Sequence, residues 1–191
     1  MEPASYAVVA YINGPLAAFV ESLRSRLTPE QAHVRPHLTL LAPRVLETPR
    51  DKLLAALKRI CYKAEPVRIS LGRVEAFVPS TSTVYLQVQQ GASQISSLHQ
   101  RLNQYGFRAE EPWAYVPHIT LAKLADNAAA LKAVEEAQEQ WAHYSGARDF
   151  LVKELTLVRE FAPDKWDDLA RVPLAANLTQ HEGTCPETGR R

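Results

Sequence analysis

One phrase of this chain is written twice. Pro36-His37-Leu38-Thr39-Leu40 recurs as Pro117-His118-Ile119-Thr120-Leu121, with the two histidines 81 positions apart. With six His in 191 residues, chance placement seldom yields one His-x-Thr triplet, and here two occur, each led by Pro and closed by Leu. A chain built this way folds as two related halves, and the duplicated imidazoles point to an acid and base pair.

The surrounding pattern repeats as well. Tyr6 to Ile12 is a β-branched and aromatic run ended by Asn13-Gly14, which predicts a strand. Pro15 suits a first helical turn, and Leu16, Phe19, Val20, Leu23 and Leu27 follow at helical spacing. His37 to Leu41 reads as a strand. Thr48 and Pro49 open a helix with Leu53, Leu54, Leu57, Ile60 and Cys61 as its buried stripe, and Val67, Ile69 and Leu71 alternate as a strand. Pro79-Ser80-Thr81-Ser82 reads as a loop and as the junction between lobes. The order then restarts. Val84 to Val88 is a strand; Ile95, Leu98, Leu102 and Tyr105 line a helix ending near Gly106; His118 to Leu124 is a strand; Asn127 caps a helix carrying Leu131, Val134 and Trp141; Phe150 to Phe161 is one long strand; and Ala170 to Leu174 is a last short one. The expectation is an α+β, bilobal, duplicated fold. Two antiparallel sheets surround a central cleft, with helices on the outside. Residues 1–178 form one domain, and the polar segment 179–191 is a flexible tail.

Composition narrows the function by exclusion. A formal net charge of +1 makes no global claim on nucleic acid or membrane, so any anion site is local. No apolar run approaches the ~20 residues that span a bilayer, and the first residues lack the basic start of a signal peptide. A cytoplasmic monomer is expected. Cys61 and Cys185 have no metal-ligand spacing, and Cys61 on an apolar helix face reads as a buried thiol.

On a strand, side chains alternate faces. His37 and Thr39 therefore share one face while Leu38 and Leu40 enter the core, and the same holds for His118 and Thr120 against Ile119 and Leu121. Each polar pair is about 6.6 Å apart along its strand, which suits a tetrahedral anion between imidazole and hydroxyl. Two such faces meeting across a cleft supply a base for an attacking oxygen, an acid for a leaving oxygen, and hydroxyl donors for non-bridging oxygens. Phosphodiester chemistry follows, with no metal and no cofactor required. His33 and His37 have the spacing of a helical metal pair, but Pro36 lies between them and disfavours helix. Tyr11, Phe77 and Tyr115 are candidates to stack a base, core or rim packing being the other reading. His99 reads as a packed structural residue, and Arg35, Arg44 and Lys123 read singly as solvated surface.

The two motifs His37-Leu38-Thr39-Leu40 and His118-Ile119-Thr120-Leu121, with Tyr115 to Lys123 around the second and Gly72 to Phe77 before the strand Val84-Tyr85-Leu86, resemble the 2H phosphoesterase superfamily. That group holds 2′-5′ RNA ligases and cyclic phosphodiesterases. The resemblance covers residues 6 to 175. It implies metal-independent opening of a 2′,3′-cyclic phosphate on an RNA end or nucleotide to a 2′-phosphate, with reverse 2′-5′ ligation by the same site. It also implies His37 and His118 as catalytic acid and base, Thr39 and Thr120 as phosphate ligands, and a phosphate contact from Lys123, which requires a bulge or a strand end to reach the face of His118. Ala42 stands where ligase-like members carry a base-stacking aromatic. Two other readings stay open: a phosphodiesterase for another substrate, such as ADP-ribose cyclic phosphate or 2′-5′ oligoadenylate, and a non-catalytic nucleotide- or RNA-binding module.

Overall fold

The computed structural model describes residues 4–162 and 165–175. The segment 179–191 lies outside them, as does Cys185. In chain order the elements are β1 (Ala4–Tyr11), α1 (Pro15–Leu27), β2 (His37–Leu46), α2 (Arg50–Cys61), β3 (Val67–Ala76), β4 (Thr83–Gln90), α3 (Ala92–Leu102), β5 (His118–Lys123), α4 (Asn127–His143), β6 (Asp149–Val152), β7 (Glu154–Ala162) and β8 (Lys165–Pro173). Short 3-10 turns at Pro29–Gln31 and Tyr105–Phe107 follow α1 and α3.

Two four-stranded sheets result, ordered β2-β1-β7-β8 and β5-β4-β3-β6, and every pairing is antiparallel. The apolar residues of β1 and β2 that alternate inward, among them Val8, Ala10, Leu38 and Leu40, join Leu16, Val20 and Leu23 of α1 and Leu53 and Leu57 of α2 in one core. The opposite faces of the sheets carry the polar motif residues. Each motif strand, β2 or β5, is one of the two outer strands of its sheet. Pro36 and Pro117 come just before these strands, where a residue without an N–H costs the ladder nothing.

The halves are interlocked rather than consecutive. β3, at the end of the first half, pairs with β4 of the second, and β7, near the end of the second half, pairs with β1 of the first. Pro79–Ser82, expected to separate the lobes, is instead the turn of a hairpin between neighbours of one sheet, with the Phe77 N–H donating to Thr83 and the Val78–Pro79 peptide cis. The first helix of each half reaches across too: α1 packs on β5, and α3 packs on β2.

Other expectations shift locally. The run Phe150 to Phe161 is two strands in different sheets, broken at Lys153, whose carbonyl accepts from the Leu174 N–H. Thr48 does not cap α2; its hydroxyl donates to the Gly106 carbonyl, and Pro49 precedes the first turn. Asp126, not Asn127, caps α4, its carboxylate accepting from the Ala129 N–H at 2.8 Å. Small residues bury that helix, Ala130, Ala133 and Ala137 with Trp141, while Leu131 is exposed. Tyr105 does not line α3. It sits past the helix end at φ 51°, exposed, under the Arg59 guanidinium. Cys61 is a free, buried thiol, pushed up to about 12 by burial.

Candidate active site

β2 and β5 lie against each other and present His37 and Thr39 from one sheet, His118 and Thr120 from the other. In both strands the polar pair is half-buried and the aliphatic partners are buried, as alternation requires. The imidazoles are held alike. His37 Nδ1 lies 2.7 Å from the Arg35 carbonyl and His118 Nδ1 lies 2.7 Å from the Val116 carbonyl. A carbonyl only accepts, so each Nδ1 carries the proton and each Nε2, on the opposite edge of the ring, is left with its lone pair.

Both imidazoles are biased toward the neutral form. Burial pushes His37 down to about 4, against the opposing effect of its bond to Arg35, with Arg24, His118 and Lys123 lowering it further. His118 is lowered by burial, then by Lys123. Each ring is also gripped by aromatics. The Tyr11 ring meets His37 edge to face at 6.4 Å, and Phe77 and Tyr85, stacked on one another at 4.1 Å, meet His118 edge to face at 4.9 and 5.3 Å.

Each motif strand contains a bulge at the same position. Val8 and Val9 pair with Leu41 and Thr39, leaving Leu40 extra; Val84 and Tyr85 pair with Ala122 and Thr120, leaving Leu121 extra. Leu121 and Ala122 are therefore both buried, and Lys123 returns to the face of His118 and Thr120. Its counterpart in β2 is the exposed Ala42. The site is thus symmetric in imidazoles and hydroxyls and asymmetric in charge.

The aromatic candidates differ in their surroundings. Tyr11, beside His37 in the register, donates its hydroxyl to Asp168 at 2.5 Å and carries the Arg35 guanidinium 3.8 Å above its ring. Its phenol is pushed up by burial and by Asp168. Phe77 packs against the His118 imidazole. Tyr115 is engaged elsewhere. Its hydroxyl donates to the Thr39 carbonyl at 2.6 Å and its ring stacks on His99 at 3.9 Å, which is the packing reading of this residue rather than the base-stacking one.

Several residues that support the site stand outside the motifs. Arg24, buried on α1, donates from Nε and Nη2 to the Thr120 carbonyl at 3.1 and 2.7 Å and from Nη1 to the Val34 carbonyl at 2.6 Å. The sequence does carry a signal for it, since Arg24 follows Val20 by four residues and so lies on the apolar stripe of that helix. Arg44, expected in solvent, is buried and bonds Glu111, Asn103 and the Phe107 carbonyl. His99 is buried between the Leu40 carbonyl and Glu111. Asp168 receives Tyr11, Arg35 and Arg171.

Among the described residues, no group of three or more His, Cys, Asp or Glu side chains is placed to hold a metal ion. No helix among them is long and apolar enough to cross a membrane. A concavity of about 560 Å³ lined by Thr48, Lys52, Arg59 and Tyr105 holds none of the motif residues.

Residues 13–162 match the 2′-5′ RNA ligase superfamily. The chain belongs to this family, the 2H phosphoesterases. Relatives bear this out in sequence. A provisionally named phosphoesterase of Bacillus cytotoxicus is 33% identical over 108 residues, covering 54% of this chain and 61% of its own length. Another, from Halalkalibacterium halodurans, is 26% identical over 145 residues, covering 71% and 83%. The match thus spans less than two thirds of the B. cytotoxicus protein. In structure the chain is similar to E. coli LigT in its apo form, with a TM-score of 0.64 at 19% identity over 92% of this chain and 99% of that one; LigT has also been crystallised in complex with 3′-AMP.

Proposed function

We propose that this 2H protein is a metal-independent phosphodiesterase that opens 2′,3′-cyclic phosphates on RNA ends or nucleotides, leaving a 2′-phosphate. The observation that carries this reading is the matched pair of imidazoles, each with Nδ1 tied to the carbonyl two residues before it and Nε2 left as acceptor. In the hydrolysis, one Nε2 takes a proton from water as the water oxygen bonds to phosphorus. The P–O3′ bond breaks on the opposite side, and the other imidazole gives a proton to the departing O3′. Thr39 and Thr120 donate to the non-bridging oxygens, and Lys123 offsets their charge. Both imidazoles are biased neutral in the free protein. A bound phosphate anion favours the charged form and so loads the imidazole that acts as acid. With an RNA 5′-hydroxyl in place of water, the same displacement forms an O5′–P bond as P–O3′ breaks and O3′ is protonated, joining ends through a 2′-5′ linkage. The complex of LigT with 3′-AMP supports a nucleotide as the substrate class.

The test is incubation in EDTA with a 2′,3′-cyclic nucleotide and with an oligonucleotide ending in a cyclic phosphate, followed by ³¹P NMR. Turnover of either to a 2′-monoester is expected. Folded protein that opens neither would overturn the proposal. Replacing His37 or His118 by Ala is expected to lower the rate ~100-fold or more.

A further inference from the structure

The two motif strands are outer strands, so each has one edge without a ladder partner inside its sheet. A strand paired on one side only leaves the backbone groups of its other edge to be satisfied elsewhere, and here its position fixes where Nε2 sits. On both strands a side chain from the opposite half closes that edge at the motif threonine. Tyr115, from the second half, donates to the Thr39 carbonyl in the first motif. Arg24, from the first half, donates twice to the Thr120 carbonyl in the second. Each brace is itself immobilised. Tyr115 lies parallel to His99, with an angle of 3° between the rings, and His99 bonds the carbonyl of the bulged Leu40. Arg24 gives its remaining nitrogen to Val34, three residues before His37, so a single buried guanidinium ties the approach to the first motif to the body of the second.

We infer that Arg24 and Tyr115 are positioning residues that set the spacing between the two catalytic strands, each half aligning the threonine and histidine of the other. Neither touches the reacting atoms in this arrangement; they act through the backbone of Thr120 and Thr39. This inference rests on the phosphodiesterase reading of the site. A shift of about 1 Å in catalytic groups costs on the order of 10²-fold in rate, so the loss of one hydroxyl is enough to register.

The experiment compares wild type with Tyr115→Phe, which removes only the hydroxyl, and with Arg24→Lys and Arg24→Met. Each is assayed on a 2′,3′-cyclic nucleotide well below its melting temperature. We expect kcat to fall ~10-fold or more in Tyr115→Phe and Arg24→Met, with KM within ~3-fold and circular dichroism unchanged. Arg24→Lys, which keeps one donor, is expected to recover part of the loss. Activity that merely follows the folded fraction would overturn the inference. Should wild type open no cyclic phosphate, the functional reading fails separately. The braces are then read by inorganic phosphate titrated against the His37 and His118 imidazole resonances. Shifted His37 and His118 resonances in phosphate-saturated Tyr115→Phe and Arg24→Met sustain the inference, and spectra identical to wild type end it.

Discussion

Leu40 and Leu121 are the same residue in two strands: each is the one its ladder skips. The extra residue bends the strand and reverses the parity of everything after it. That reversal brings Lys123 onto the face of His118 and Thr120, five residues beyond His118, where simple alternation would turn it to the other side.

Lys123 faces two imidazoles whose charged forms it disfavours. Lys123→Ala is expected to lower kcat/KM on a cyclic phosphate by ~10-fold or more, the scale of a lost charge-assisted hydrogen bond. Removing a cation lets both imidazoles protonate more readily, so the acid limb of the pH–rate profile moves to higher pH. Lys123→Arg is expected to keep that limb in place. A profile that Lys123→Ala leaves unmoved would separate this side chain from the site.

His37 carries a cost of burial that stability measurements can read. Its folded pKa of about 4 lies below the ordinary 6.5, so under acid the unfolded chain binds the proton first. Stability is therefore full above about pH 6.5 and declines as pH falls toward 4, at up to ~1.4 kcal/mol per pH unit from this group. Urea unfolding at several pH values is expected to show a shallower decline for His37→Asn than for wild type.

Gly91 holds the turn between β4 and α3 at φ 86°, and a Cβ there would lie 2.6 Å from the Arg68 carbonyl oxygen. Gly91→Ala is expected to destabilise by about 2 kcal/mol or more, from left-handed strain and the clash together. Denaturant midpoints measure it; a neutral result would mean that β3 gives way freely.

Glu111 answers the buried Arg44 at 2.5 Å and His99 at 3.0 Å. Glu111→Gln leaves the guanidinium without its countercharge and is expected to cost about 3 kcal/mol. Adding Arg44→Met to that variant is expected to restore part of the loss, because the uncompensated charge goes with it. Strict additivity in this double-mutant cycle would show that the two side chains are independent.

The motifs, the alternation that exposes them and most helices were legible because each is a local pattern. What was not legible depended on pairing. Phe150 to Phe161 has one propensity throughout, with no Gly or Pro, and nothing local announces that Lys153 divides it between two sheets. The hairpin at Pro79–Ser82 has the composition of any surface loop, so it could not say that β3 and β4 are partners. Arg44 and His99 look solvated or singly packed until β2 and α3 are brought together, since their partners lie 67 and 59 residues away. The bulge of β5 was open to the sequence only through the role the resemblance gives Lys123, and that of β2 not at all: a skipped residue is a property of two strands and is written in neither alone.

The exchange of β3 and β7 has a consequence for descent. A chain of half this length, carrying one motif, could complete its sheet only by lending its third strand to a second copy of itself. Such a dimer would already hold two histidines and two threonines across its axis, with both sides identical. Fusion into one chain breaks that identity. It permits lysine at 123 and alanine at 42, so a cleft with matched imidazoles carries different charge at its two ends.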